Sequence, residues 1–170
     1  MSGEQLHHSH HNSSDKKIPL ILLIDDFESP LNVGSIFRIA DAMAVEKIIL
    51  TGNTPVPPSR QIRKTSRSTE KFVNYEYCTD ALNVVSRLQK AAYTIIALEI
   101  TSASVDVSEI NFSNYEKICL ILGAENTGIK TELLMQSDIH VHIPMHGNNS
   151  SMNVAVASGI ALFQILSAWK

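Results

Sequence analysis

Short, continuously apolar runs alternate along the chain with amphipathic or polar stretches. IPLILLIDD (18–26), KIILTG (47–52), YTIIALE (93–99) and KICLILG (117–123) are apolar almost throughout and close on acids or glycine. That is the pattern of strands buried on both faces. FVNYEY (72–77) alternates as a strand does, and DIHVHIP (138–144) reads as a strand stopped by Pro144. In ESPLNVGSIFRIADAMAV (28–45), Ile36, Ile39, Ala40 and Met43 recur at helical spacing after a Pro and an Asn suited to a helix start. TDALNVVSRLQKAA (79–92) carries an apolar stripe, with Thr79 as its expected N-cap, and TELLMQ (131–136) predicts a short helix. NTPVPPS (53–59) and TSASVDVSEINFSN (101–114) read as loops. HGNNSSMNVAVASGIALFQILSAW (146–169) begins as a polar loop, with Ser151 or Asn149 as the expected cap. It continues as a helix apolar nearly all round, which predicts burial on more than one side. This alternation predicts an α/β fold, a mostly parallel sheet with helices on both faces.

Composition narrows the class. With 170 residues, 44% of them hydrophobic, the chain suits one domain with a sizeable core. Residues 1–17 are polar throughout, carry His7, His8, His10 and His11, and lack the apolar stretch of a signal peptide. They are expected to form a disordered tail, leaving 18–170 as a single domain. The C-terminal apolar run, interrupted by Ser158 and Gln164, is short for a membrane span, so a soluble cytoplasmic protein is expected. Cys78 and Cys119 make no disulfide framework, and Cys119 lies in an apolar run as a buried thiol would. The net charge of −3 gives no global sign of nucleic-acid binding. Its distribution is uneven: SRQIRKTSRSTEK (59–71) sets Arg60, Arg63, Lys64, Arg67 and Lys71 against Glu70 alone. Such a strip is either a solvated face or a phosphate-binding surface on an otherwise acidic protein.

Several familiar sites are excluded. ICLILGAENTGIKT (118–131) approaches a phosphate-binding loop, but Ile129 separates Gly128 from Lys130, and Glu125 would place an acid in the cradle. No G-x-G-x-x-G dinucleotide fingerprint is present. His140, His142 and His146 stand without a Cys or acid at zinc spacing, so no metal site is expected. Ser151 lies near His146 in sequence, which is not triad geometry. What remains is a set of polar residues at the ends of predicted strands: Asn32, Arg38, Glu99, Gly123, Glu125 and the loop 144–153. Each has a plain structural reading, Asn32 as a helix cap and Glu125 as a turn acid among them. Together they occupy the places where open α/β sheets bind ligands.

Three ordered motifs carry a resemblance. They are Asn32-Val-Gly34-Ser-Ile-Phe-Arg38-Ile-Ala40, then Leu122-Gly123-Ala-Glu125-Asn-Thr-Gly128-Ile129, then Ile143-Pro144-Met145-His-Gly147 followed by Ser151-Met152-Asn153-Val154. In this respect residues 18–170 resemble the SpoU-type (TrmH-like) RNA ribose 2′-O-methyltransferases of the SPOUT superfamily. The resemblance implies a C-terminal trefoil knot, which fold rules alone disfavour, and a homodimer. It also implies S-adenosylmethionine as cofactor, RNA as substrate (tRNA ahead of rRNA), and no metal.

By the same resemblance, Leu98, Glu99, Gly123, Ile143, Met145, Ser151 and Met152 would hold the cofactor. Glycine was expected there because a ligand can approach a backbone that has no Cβ. Arg38 would act on the 2′-hydroxyl, with Asn32, Glu125, Ser151 and Asn153 orienting it and the ribose, some of them from a partner protomer. A guanidinium is a poor base, so stabilising the developing alkoxide suits Arg38 better than removing its proton. Arg60, Arg63, Lys64 and Arg67 would meet RNA phosphates. A non-catalytic RNA-binding or assembly module with the same fold is the competing class, and a base-nitrogen methyltransferase is a second.

Overall fold

The computed structural model describes residues 17–169. The expected tail, apart from Lys17, lies outside these residues. Seven strands form one sheet: β1 (Ile18–Asp25), β2 (Val45–Thr51), β3 (Tyr75–Cys78), β4 (Thr94–Leu98), β5 (Val105–Asp106), β6 (Ile118–Leu122) and β7 (Ile139–His142). Their order is β3-β2-β1-β6-β4-β7-β5, and every pairing is parallel. One row of partners, Tyr75–Ile48–Leu22–Leu120–Ile96–Ile139, crosses six strands.

Because side chains alternate across a pleated sheet, each apolar run feeds two cores. Leu20, Leu22, Ile24, Ile48, Leu50, Ile96, Leu120 and Leu122 face α1 (Pro30–Ala42) and α5 (Val154–Ala168). Ile21, Leu23, Ile49, Ile95, Cys119 and Ile121 face α3 (Ala81–Lys90) and Leu133 of α4 (Thr131–Met135). The expected covering of both faces is therefore found. Burial pushes the Cys119 thiol pKa up, as suits an inert core residue.

The basic strip, which had no predicted structure, forms a helix, α2 (Arg60–Ser66), and a 3-10 turn at Thr69–Lys71. It packs on α1 at Gly34, where an added Cβ would stand 2.2 Å from Ile62 O and from Thr65 Oγ1. Thr65 Oγ1 also donates to Leu31 O at 2.8 Å. Gly34 thus lets the two helix backbones touch and fixes the cations beside α1.

Several boundaries differ from the sequence reading. Strand β3 begins at Tyr75 rather than Phe72, because residues 69–73 are taken up by the turn. Asp80, not Thr79, caps α3, accepting from Leu82 N and Asn83 N. Asn153, not Ser151 or Asn149, caps α5, accepting from Ala155 N and Val156 N. The polar segment 101–114 contains β5 and two 3-10 turns, and buries Val107 and Phe112. Trp169 Nε1 donates to Phe112 O and Tyr115 O, at 3.0 and 2.9 Å, and so ties the end of α5 to that segment.

Candidate functional site

The loops after β4, β6 and β7 and the start of α5 enclose a cleft of about 480 Å³, a size suited to a small molecule. Leu98, Glu99, Gly123, Ile143, Met145, Ser151 and Met152 all line it. Glu125 and Asn153 line it too. Its walls combine apolar side chains, glycine backbone and the carboxyl-bearing Glu99 and Glu125, which suits a small molecule with apolar and polar parts.

The glycines at this loop also have a reason within the protein itself. A Cβ on Gly123 would lie 2.3 Å from Gly128 C and 2.4 Å from Ile129 N. One on Gly128, whose φ is +68°, would lie 2.4 Å from Glu99 Oε2. The loop folds back on itself, with Gly128 N donating to Ala124 O at 2.9 Å, and the glycines make that closure possible. Glu99 closes the same turn: Oε2 accepts from Ile129 N and Oε1 from Ile100 N, both at 3.0 Å.

The three sequence motifs meet through hydrogen bonds. Glu125 Oε2 accepts from Glu28 N at 2.8 Å, and Oε1 accepts from Ser29 N at 3.1 Å and Asn32 Nδ2 at 2.8 Å. Asn32 Oδ1 accepts from Asn153 Nδ2 at 3.1 Å, and Asn153 Oδ1 caps α5. Asn32 is free for this task because Ser29, with Pro30 after it, serves as the cap of α1. Burial pushes the Glu125 carboxyl pKa up, but the donors from Glu28, Asn32 and Ser29 outweigh it and leave it below the usual value. Glu125 thus ties the loop after β6 to the start of α1.

Arg38 stands apart. It is exposed and borders a second, shallower depression of about 510 Å³ with Ser35, Lys64, Thr65, Arg67 and Gly159. Arg60 and Arg63 are exposed on α2. Sequence reasoning missed the role of Lys130, whose Nζ lies 3.0 Å from Asp25 Oδ2 and 2.5 Å from Asp26 Oδ2. That pairing holds the Asp26 carboxyl pKa down and the Lys130 ammonium pKa up. Lys130 thus fastens the end of the cleft loop to β1 instead of meeting a phosphate. His142 and Asn126, also unforeseen, line the cleft; Asn126 Nδ2 donates to Glu28 Oε2 at 2.8 Å. Among the described residues, no three of His, Cys, Asp and Glu converge as a metal site.

An all-parallel sheet with its polar loops gathered at the strand ends defines an α/β protein with a small-molecule cleft at its carboxyl edge. More particularly, the chain belongs to the SpoU rRNA Methylase family, whose profile matches residues 19–163. It is 30% identical over 150 residues to an uncharacterized tRNA/rRNA methyltransferase of Borreliella burgdorferi, covering 88% of this chain and 64% of that one. It is 30% identical over 146 residues to the 23S rRNA (guanosine-2′-O-)-methyltransferase RlmB of Ralstonia nicotianae, covering 86% and 57%. The chain thus spans less than two thirds of the length of these relatives. Among solved structures, the AdoMet-bound rRNA methyltransferase of Sinorhizobium meliloti superposes with a TM-score of 0.82 at 26% identity, over 89% of this chain and 57% of that one. The A. aeolicus TrmH/SpoU tRNA modifying enzyme gives 0.81 at 23% identity, over 90% and 76%, a likeness of fold. No described helix is long and apolar enough to cross a membrane.

Proposed function

We propose that the chain transfers a methyl group from S-adenosylmethionine to a ribose 2′-hydroxyl of RNA in the cytoplasm, with tRNA ahead of rRNA as substrate. The observation that carries this reading is the hydrogen-bonded line Glu125–Asn32–Asn153, which joins the loop after β6, the first turn of α1 and the start of α5 beside one cleft. Leu98, Ile143 and Met152 offer apolar contact for an adenosine, and Gly123, Met145 and Ser151 border the same space. The cofactor, when bound, supplies a methyl on a sulfonium, already a good leaving group.

The protein's part is alignment and charge. Glu125 fixes Asn32, and Asn32 fixes Asn153, so the rim is preorganised before RNA arrives. Arg38 meets the 2′-oxygen, which becomes negative as its proton passes to water, and stabilises it electrostatically. Because Arg38 borders the other depression, it reaches the cleft of a second copy in this reading. A homodimer is supported by Val156, Ile160 and Phe163, an exposed apolar stripe on α5. A trefoil knot in the C-terminal part follows, in this reading, from membership of the family.

The test is transfer of labelled methyl to tRNA and to rRNA, followed by nucleoside analysis. Label on a ribose, lost in Arg38→Ala, is the expected result. Label on a base, or transfer indifferent to that substitution, overturns the reading. Protein that binds RNA but no cofactor in calorimetry favours the non-catalytic module.

A further inference from the structure

The cleft accounts for neither Phe72 nor the edge of the sheet beside it. Phe72 is 70% exposed, an unusual loss of apolar burial for so large a side chain. It is not loosely held. Arg67 and Ser68 both adopt left-handed backbone, with φ of 56° and 73°, and turn the chain sharply out of α2. Phe72 N then donates to Thr69 O at 2.9 Å, Val73 N to the same oxygen at 3.0 Å, and Val73 is buried. Asn74 O accepts from Ile48 N, starting the pairing of β3. The ring is thus presented to solvent from a pinned turn.

Two further aromatics lie just beyond it. Tyr75 and Tyr77 project from the same face of the edge strand β3 and are 38% and 45% exposed. Both are anchored: the Tyr75 ring meets Phe37 edge-on at 5.4 Å, and Tyr77 OH donates to Gly52 O at 2.8 Å. On the other side of Phe72 stand Arg60, Arg63, Lys64, Arg67 and Lys71, all exposed, and the ion pairs among the described residues use none of them. Glu70, the one acid of the strip, is engaged by Ser66 Oγ.

We infer that α2, the turn 67–72 and the edge of β3 bind a single-stranded segment of RNA, with the cations on its phosphates and a base stacked on Phe72. The chemistry selects this occupant. Five unpaired cations repel a second copy of the same surface and attract a polyanion. An exposed ring serves no purpose against duplex, whose bases are already stacked, but offers a face to an unstacked one. The inference names how the substrate of the proposed methyl transfer is held, and rests on that reading for its biological setting, though not for its test.

The experiment is fluorescence anisotropy of the full chain with a labelled oligoadenylate, single-stranded or annealed to its complement, over a range of salt. Phe72→Ala is expected to weaken single-strand binding about five- to hundred-fold with the salt slope unchanged. Phe72→Trp is expected to restore it and Phe72→Leu is not, which separates stacking from greasy contact. Arg63→Gln with Lys64→Gln is expected to lower the salt slope by about 1.4 for single-stranded RNA, given about 0.7 per phosphate contact. Equal binding by wild type and Phe72→Ala overturns the inference, as does full rescue by Leu. A shift of oligomeric state in Phe72→Ala also overturns it, by assigning the ring to an interface between copies. Calorimetry with S-adenosylmethionine keeps the two readings apart: absent cofactor binding with Phe72-dependent RNA binding defeats the enzyme and spares the platform.

Discussion

Glu125 shows how one side chain can hold a site together without reacting. Its carboxylate accepts from two backbone N–H groups and from Asn32, which hold its pKa below the usual carboxylate value despite burial. A depressed carboxyl stabilises the fold fully above its unfolded value, and that contribution fades as pH falls through the folded one. Glu125→Gln presents one oxygen where three donors converge and is expected to cost about 1–2 kcal/mol near neutrality. Urea unfolding of both proteins, near neutrality and again in acid below the usual carboxylate range, checks the sign: the gap should narrow in acid. A gap unchanged between the two conditions would show that packing, not charge, is lost. Methyl transfer should fall with the loss of Asn32's anchor.

At the scale of elements, α5 depends on a cap that serves two structures. Asn153 Oδ1 accepts from Ala155 N and Val156 N, and its Nδ2 donates to Asn32. Asn153→Ala loses both roles and is expected to cost about 1–2 kcal/mol of stability. Asn153→Asp keeps the cap acceptor and suits the helix N-terminus, so its melting should stay close to wild type. It removes the donor to Asn32, and transfer should fall as far as in the alanine variant. An aspartate variant with full activity would show that the link is dispensable. This double role explains why the cap was misplaced from sequence: Ser151, Asn149 and Asn153 are equivalent candidates until tertiary contacts choose between them. The strands were legible because an apolar run buried on both faces leaves few alternatives. Their order was not, since uniformly apolar strands carry no pattern that selects a neighbour. Helix α2 was hidden because Ile62 is its only buried large apolar side chain, too little for a visible period. The cleft residues were readable as motifs, but Gly128 is required by Glu99, far away in sequence, and Gly123 by the way its own loop closes on Gly128 and Ile129.

For the whole molecule, the question is whether one chain contains a complete site. The cleft holds the rim network, while Arg38 borders a different depression, next to Gly159 of α5. The inner side of α5 is spent on Ala155, Ala161, Leu162 and Ile165, yet Val156, Ile160 and Phe163 remain exposed at helical spacing. That is the all-round apolar helix of the sequence with one side still uncovered. A two-fold contact through this stripe would bury the same patch on each copy and would complete two sites at once. Phe163→Glu should then yield a monomer in light scattering that still binds cofactor but transfers no methyl. A sharper check is to mix Arg38→Ala with Gly123→Val, the latter blocked where a Cβ meets the Gly128 backbone. If Arg38 serves the partner's cleft, each mixed dimer regains one intact site and loses the other completely. Random exchange at equal amounts makes half the dimers mixed, so activity should recover to about a quarter of wild type. If Arg38 serves its own cleft, every site in the mixture keeps one lesion and the activity stays at the level of the separate variants.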